Sequence, residues 1–129
     1  MSAALPEDVR QFLLRYIDSV EQLEVLLLLC GSPSTAWSPE AVAQALYSNP
    51  TSVAYRLAML QRHELIAAAD PPSSYRYQPG HPALHEAVTR VAEMYKQRRV
   101  AVITFIASKP MANVRAFSDA FRLRKKDPE

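Results

Sequence analysis

Apolar positions along this chain recur mostly three and four residues apart, the period of a helix surface, and only briefly two apart. In LPEDVRQFLLRYI, Val9, Phe12, Leu13 and Tyr16 or Ile17 share one face. Pro6 suits the first turn there, and Glu7 and Asp8 stand where the helix dipole favours acids. Asp18 and Ser19 can cap a second helix, with Glu21 and Gln22 three residues on, as a capping box requires. That helix, EQLEVLLLLC, becomes apolar on all sides before Gly31 and Pro33 stop it, which predicts the buried centre of the fold. Two short helices follow. WSPEAVAQALY opens with Ser38 as cap and Pro39 at the first position, with Val42, Ala45 and Leu46 inward. NPTSVAYRLAMLQRH opens with Asn49 as cap.

The period then shortens to two. ELIAAAD and YRYQP read as strands, joined by the turn DPPSS. HPALHEAVTRVAEMYKQRRVAVITFIASK is the longest element, with a stripe at Leu84, Val88, Val91 and Tyr95. Arg98 and Arg99 interrupt the stripe, and Val102 and Ile106 resume it. The pattern predicts one long helix ended by Pro110, although VAVITFI is β-branched enough to be a strand. MANVRAFSDAFRLRKK adds a short amphipathic piece with Phe117 and Phe121 inward. No internal repeat or low-complexity segment interrupts this order of five helices, a possible sixth, and a hairpin.

Length and composition narrow the function class. A chain of 129 residues suits one domain with a real core, residues 1–129. Only two glycines are present, and no Gly-rich phosphate loop is found. GxSxG and HExxH are absent too, so an enzyme is the least favoured class and no cofactor is expected. Cys30 is the sole cysteine, which precludes an internal disulfide and fits a cytoplasmic location. With no basic neighbour in sequence, Cys30 reads as a buried, inert thiol. His81 and His85 lie four apart near Glu86, but zinc would need further ligands. His81 is instead expected to cap the long helix and His85 to lie at the surface, so no metal is expected. No signal peptide is visible at 1–6, and no apolar run approaches the roughly 20 residues of a membrane span.

Charge is distributed unevenly. Formal charge is −3 over residues 1–30, zero over 31–81 and +5 over 82–129. Arg90, Lys96, Arg98 and Arg99 decorate the long helix, and Arg115, Arg122, Arg124, Lys125 and Lys126 the tail. Three readings stay open for them: phosphate binding, a solvated terminus, or pairing with the acidic first helix of the same or a second chain.

The order of elements now carries a resemblance. SPEAVAQALYSNPTSVAYRLAMLQRHELI resembles the winged helix-turn-helix core of bacterial regulators. Val42, Ala43 and Leu46 match its first helix, and Val53, Leu57, Leu60, Leu65 and Ile66 the second helix and the apolar pair opening the wing. The layout is similar to MarR-type transcriptional regulators, over Glu21 to Pro79 well and at the ends in outline. One departure is Glu64, where the pattern often has Gly; a left-handed helix end would fall on Glu64 or His63 at some cost. The resemblance implies a mainly α fold with a small β-hairpin: a winged helix-turn-helix core at 19–79, flanked by dimerisation helices at 1–18 and 82–129. It implies a homodimer that binds double-stranded DNA at a palindromic site with recognition helices about 34 Å apart, and a groove for a small apolar effector.

With Val53, Leu57 and Leu60 turned inward, the outer face of the second short helix carries Thr51, Tyr55, Ala58, Met59 and Arg62, with Ser52 and Arg56 on one flank and Gln61 on the other. Asn49, Thr51, Ser52, Tyr55, Arg56 and Arg62 are therefore candidate DNA contacts, joined by Arg76 on the wing. The face is poor in charge, and Tyr55, Ala58 and Met59 suit equally a protein partner or packing under a neighbouring helix. A winged-helix protein-interaction module is thus the alternative function. Phe12, Tyr16, Tyr95, Val102, Ile106, Phe117 and Phe121 are the candidate dimer-interface residues. Arg98 and Arg99, awkward in one core, would face acids across the seam.

Overall fold

The computed structural model describes residues 5–108; the expected tail element with Phe117 and Phe121 lies outside them. Its elements are α1 (Glu7–Tyr16), α2 (Val20–Gly31), α3 (Pro39–Leu46), α4 (Pro50–Arg62), β1 (Ile66–Ala69), β2 (Ser74–Tyr77), α5 (Pro82–Gln97) and α6 (Arg99–Ala107). Local chemistry sets most helix starts. Ser19, Ser38 and Asn49 cap α2, α3 and α4 with their side-chain oxygens, and His81 caps α5 through Nδ1, 3.1 Å from the Ala83 amide. The expected capping box on α2 is half formed. Ser19 Oγ takes the Gln22 amide at 3.1 Å, but the Gln22 side chain donates to the Tyr16 carbonyl at 2.7 Å. Gln22 thereby ties the end of α1 to the start of α2.

The apolar helix α2 is the centre. Leu23, Val25, Leu26 and Leu29 are fully buried, and α3, α4, β2 and α6 all pack on it. Val42 and Ala43 turn inward from α3, whereas Ala45, expected inward, is exposed. From α4, Val53, Leu57 and Leu60 are buried completely, as their spacing predicts. The hairpin pairs Ile66 with Tyr77 and Ala69 with Ser74 in antiparallel register. Trp37 adds a one-residue bridge on the other side of β2 that the alternation of sequence does not announce: it exchanges backbone hydrogen bonds with Tyr75 at 2.7 and 2.8 Å.

The expected single long helix is two. Arg98 leaves helical geometry (φ −134°, ψ 55°), α5 ends before it and α6 starts after it. The reason is the interrupted stripe. Continuing α5 in phase would place Arg98 and Arg99 where Val88 and Val91 are buried, so the chain restarts and Val102 and Ile106 are buried from a new helix. VAVITFI is helical despite its β-branching, because burial of this face outweighs a propensity difference of a few tenths of a kcal/mol per residue. The outer helices are tied by charge within the chain. Arg90 pairs with Asp8 between α5 and α1. Glu24 on α2 receives the Tyr95 hydroxyl at 2.7 Å and Arg99 at 3.5 Å. Arg99, expected to seek an acid across a dimer seam, meets one in its own chain. Burial and the Glu24 carboxylate push Tyr95 up to about 12, so it remains a neutral donor.

Two helices end on left-handed residues that are not glycine. At the end of α3, Tyr47 (φ 55°) and Ser48 return their amides to Gln44 and Ala43; at the end of α4, Glu64 (φ 63°) and Leu65 return theirs to Gln61 and Leu60. Both are Schellman ends, which normally place Gly at the left-handed position. Glu64 thus takes the role anticipated for it or His63. Replacing Glu64 by Gly is expected to raise stability by about 0.5–1 kcal/mol, read as a higher urea midpoint with unchanged slope. A lower midpoint would mean that the Glu64 side chain, which lies against Gly80, contributes more than its backbone strain costs.

Candidate nucleic-acid interface

Burying Val53, Leu57 and Leu60 fixes the rotation of α4 and decides which residues face out. Thr51, Tyr55, Ala58, Gln61 and Arg62 are exposed and Met59 is half-buried. Asn49 begins this surface, but its side-chain oxygen is engaged as the cap, accepting from the Thr51 and Ser52 amides at 2.8 and 3.2 Å. It presents the first turn rather than reaching outward itself.

Ser52 and Arg56 face elsewhere. Both turn toward α2, where the Glu21 carboxylate accepts hydrogen bonds from the Ser48 and Ser52 hydroxyls and from Arg56 Nε at 3.0 Å. Burial disfavours the Glu21 charge, but the two hydroxyls and the guanidinium outweigh it and hold the carboxyl below its ordinary range. Arg56 also lies over the Tyr55 ring, 5.4 Å from its centroid. Sequence reasoning missed Glu21 because its position fits a capping box; the signal left over was that Ser19, the cap, has Gln22 and not Glu21 three residues on. It also missed Tyr47, whose side chain is 97% exposed in the turn between α3 and α4.

The hairpin stands beside this face. Arg76 is half-buried on β2 opposite Ala67, Tyr75 is half-buried beside Trp37, and Tyr77 and Ser74 are buried. Tyr77 reaches His85 Nδ1 at 2.8 Å, so His85, expected at the surface, is exposed yet engaged. The hairpin tip, Asp70 to Ser73, is exposed and carries an acid and no base.

The expected dimer residues fall into three groups. Phe12, Val102 and Ile106 are buried in the core of their own chain, because α1 packs on α5 and α6 and α6 packs on α2; they leave little surface for a partner. Tyr16 and Tyr95 are half-buried, and Tyr16 meets the Phe12 ring at a tilt and the His63 ring edge to face. Phe117 and Phe121 lie outside the described residues. What α6 leaves open is Val100, 76% exposed, beside an open groove of about 1090 Å³. Leu5, Arg10, Arg98, Val100 and Phe105 are among the groove's lining residues. Among the described residues no three His, Cys, Asp or Glu side chains gather to hold a metal ion.

No family model matches the sequence, and no curated protein does. Solved structures do. The chain is similar to MepR, a transcription regulator of the Staphylococcus aureus multidrug efflux pump MepA, with 21% identity over 89% of this chain and 88% of that one and a TM-score of 0.52. The fold is a winged helix. An F27L mutant of S. aureus MepR bound to oligodeoxyribonucleotide matches at 20% identity and a TM-score of 0.51, over 88% of this chain and 86% of that one. MepR bound to ethidium bromide matches at 20% and 0.50, over 89% and 86%. In winged-helix terms α3 and α4 are the helix-turn-helix and β1–β2 the wing, the MarR-like arrangement that the sequence resemblance implied.

Cys30, expected to be buried, is half-buried beside Tyr77 of the wing. Burial pushes its thiol above the ordinary value, against the opposing pull of the Tyr77 hydroxyl. Native protein at pH 8 is therefore expected to react with a thiol reagent at least about tenfold more slowly than urea-unfolded protein, since the thiolate is the nucleophile. Equal rates would mean an open, activated thiol.

Proposed function

We propose that this protein is a cytoplasmic DNA-binding transcriptional regulator acting as a homodimer, one domain over residues 1–129. The observation that carries the reading is the exposed face of α4, set beside a wing in a fold similar to that of MepR. Thr51 and Tyr55 present hydroxyls at the N-terminal end of that face, suited to phosphate or a base edge, and Arg62 a guanidinium suited to guanine or phosphate. Arg76 would reach the adjacent backbone from the wing, and Asn49 holds the first turn of α4 in place for these contacts. The apolar surface left on α6, with Val100 exposed, supports a dimer seam that also draws on α1. MepR in complex with ethidium supports a small-molecule effector here too, and the groove beside α6 is the candidate place. The neighbours are transcription regulators, which favours a role other than catalysis. No helix among the described residues is long and apolar enough to cross a membrane.

A second reading is a winged-helix module that binds protein. It is favoured by the charge-poor face: Tyr55 is 56% exposed, Ala58 lies beside it, and Arg56 is committed to Glu21. Fluorescence anisotropy with a random duplex and the protein's own upstream DNA, at two salt concentrations, separates the two. The regulator reading expects tight, salt-sensitive binding to the upstream DNA. It expects Arg62→Ala to weaken that binding by about 1–3 kcal/mol if Arg62 reads a base, or to lower the salt slope by about 0.9 if it meets a phosphate. Absence of binding to either duplex at low salt by folded protein would favour the interaction module.

A further inference from the structure

Glu21 stands on the first turn of α2, yet its carboxylate serves α4 and the turn before it. It accepts from Ser48, Ser52 and Arg56, which fills most of the acceptor capacity of one carboxylate. Ser52 and Arg56 are four apart on α4, so one carboxylate meets a single ridge of that helix. The Arg56 and Glu21 side chains are only 22% and 23% exposed, so their attraction is screened less than that of a surface pair. Among the basic residues of α4, Arg62 stands alone in solvent at the far end, and Arg56 is the one placed near the N-terminal half.

We propose that Glu21 withholds Arg56 from DNA, so that α4 approaches the duplex with one of its two guanidiniums neutralised. The proposal rests on the DNA-binding reading above and says how that surface is regulated. A guanidinium free on this flank would add affinity for any sequence, because phosphate contacts carry no sequence information. Held by Glu21, it adds none, and discrimination falls to Thr51, Tyr55 and Arg62. Glu21 is thus a specificity-determining residue that touches no DNA. It lowers binding to random duplex and widens the gap to the specific site. The Ser48 and Ser52 hydroxyls steady the carboxylate so that one rotamer serves all three donors.

The test measures salt-dependent affinity of the full chain for a random duplex by anisotropy. Glu21→Gln keeps one oxygen acceptor for one serine, offers its amide N–H to the other hydroxyl, which can turn to accept it, and removes the charge that holds Arg56. It is expected to bind random duplex several-fold more tightly at low salt, with a slope of log affinity against log salt steeper by about 0.9, one further phosphate contact. In the wild-type background Arg56→Ala is expected to leave that slope unchanged, and the double variant Glu21→Gln/Arg56→Ala to return to it. Unchanged or weaker binding by folded Glu21→Gln overturns the proposal, leaving Glu21 a strut. A slope shallower by about 0.9 in Arg56→Ala alone overturns it independently, since Arg56 would then already meet phosphate. Failure of both wild type and Glu21→Gln to bind at low salt overturns the DNA-binding reading and this inference with it.

Discussion

The structure depends on covering α2. Its second half is apolar around the whole circumference, and a helix of that kind is stable in water only when neighbours enclose it. The two-helix unit α3–α4, the hairpin and α6 supply the enclosure, and α1 closes over α5 and α6 behind it. Each neighbour has one apolar stripe to spend. Once α4 spends Val53, Leu57 and Leu60 on α2, its rotation has no freedom left and the opposite face is presented to solvent. The candidate interface is therefore a consequence of core packing. Its first turn is shaped by the Asn49 cap and its flank by Glu21.

What was legible in the sequence is what local chemistry decides. Ser19, Ser38, Asn49 and His81 act as caps within two or three residues of themselves, and strand period and turn composition announce the hairpin. The buried stripe of α4 follows from spacing alone. The rest depends on contacts between distant segments. Glu21 meets Arg56 thirty-five positions away, and Arg99 meets Glu24 at seventy-five. The Trp37–Tyr75 rung needs the hairpin to come back past the start of α3. The break at Arg98 was visible as a fault in the stripe, but spacing does not say whether a helix tolerates such a fault or restarts. Spacing also does not say which apolar residues a chain keeps for itself: Phe12, Val102 and Ile106, expected at a dimer seam, are buried in the chain's own core.

The surface that results is sparing with charge. Asp8 meets Arg90, Glu24 meets Arg99, and Glu21 meets Arg56, so these three arginines among the described residues are matched within the fold. Arg62 on the α4 face and Arg76 on the wing stand outside these three pairs. A DNA-binding surface with few free cations gains little from non-specific attraction and must rely on shape and on contacts at base edges. Tyr47 adds to this picture. An aromatic side chain held left-handed and 97% exposed contributes nothing to packing, and it stands in the turn that leads into α4.

The central claim is that two copies of α4, related by two-fold symmetry, read DNA. Selection from a random-sequence DNA library by the full-length protein, followed by sequencing of the bound fraction, tests it most directly. The account predicts enrichment of a two-fold symmetric sequence whose half-sites are centred about one helical turn apart. Repeated rounds with folded protein that enrich no sequence would contradict it and turn the α4 face into a surface for another protein.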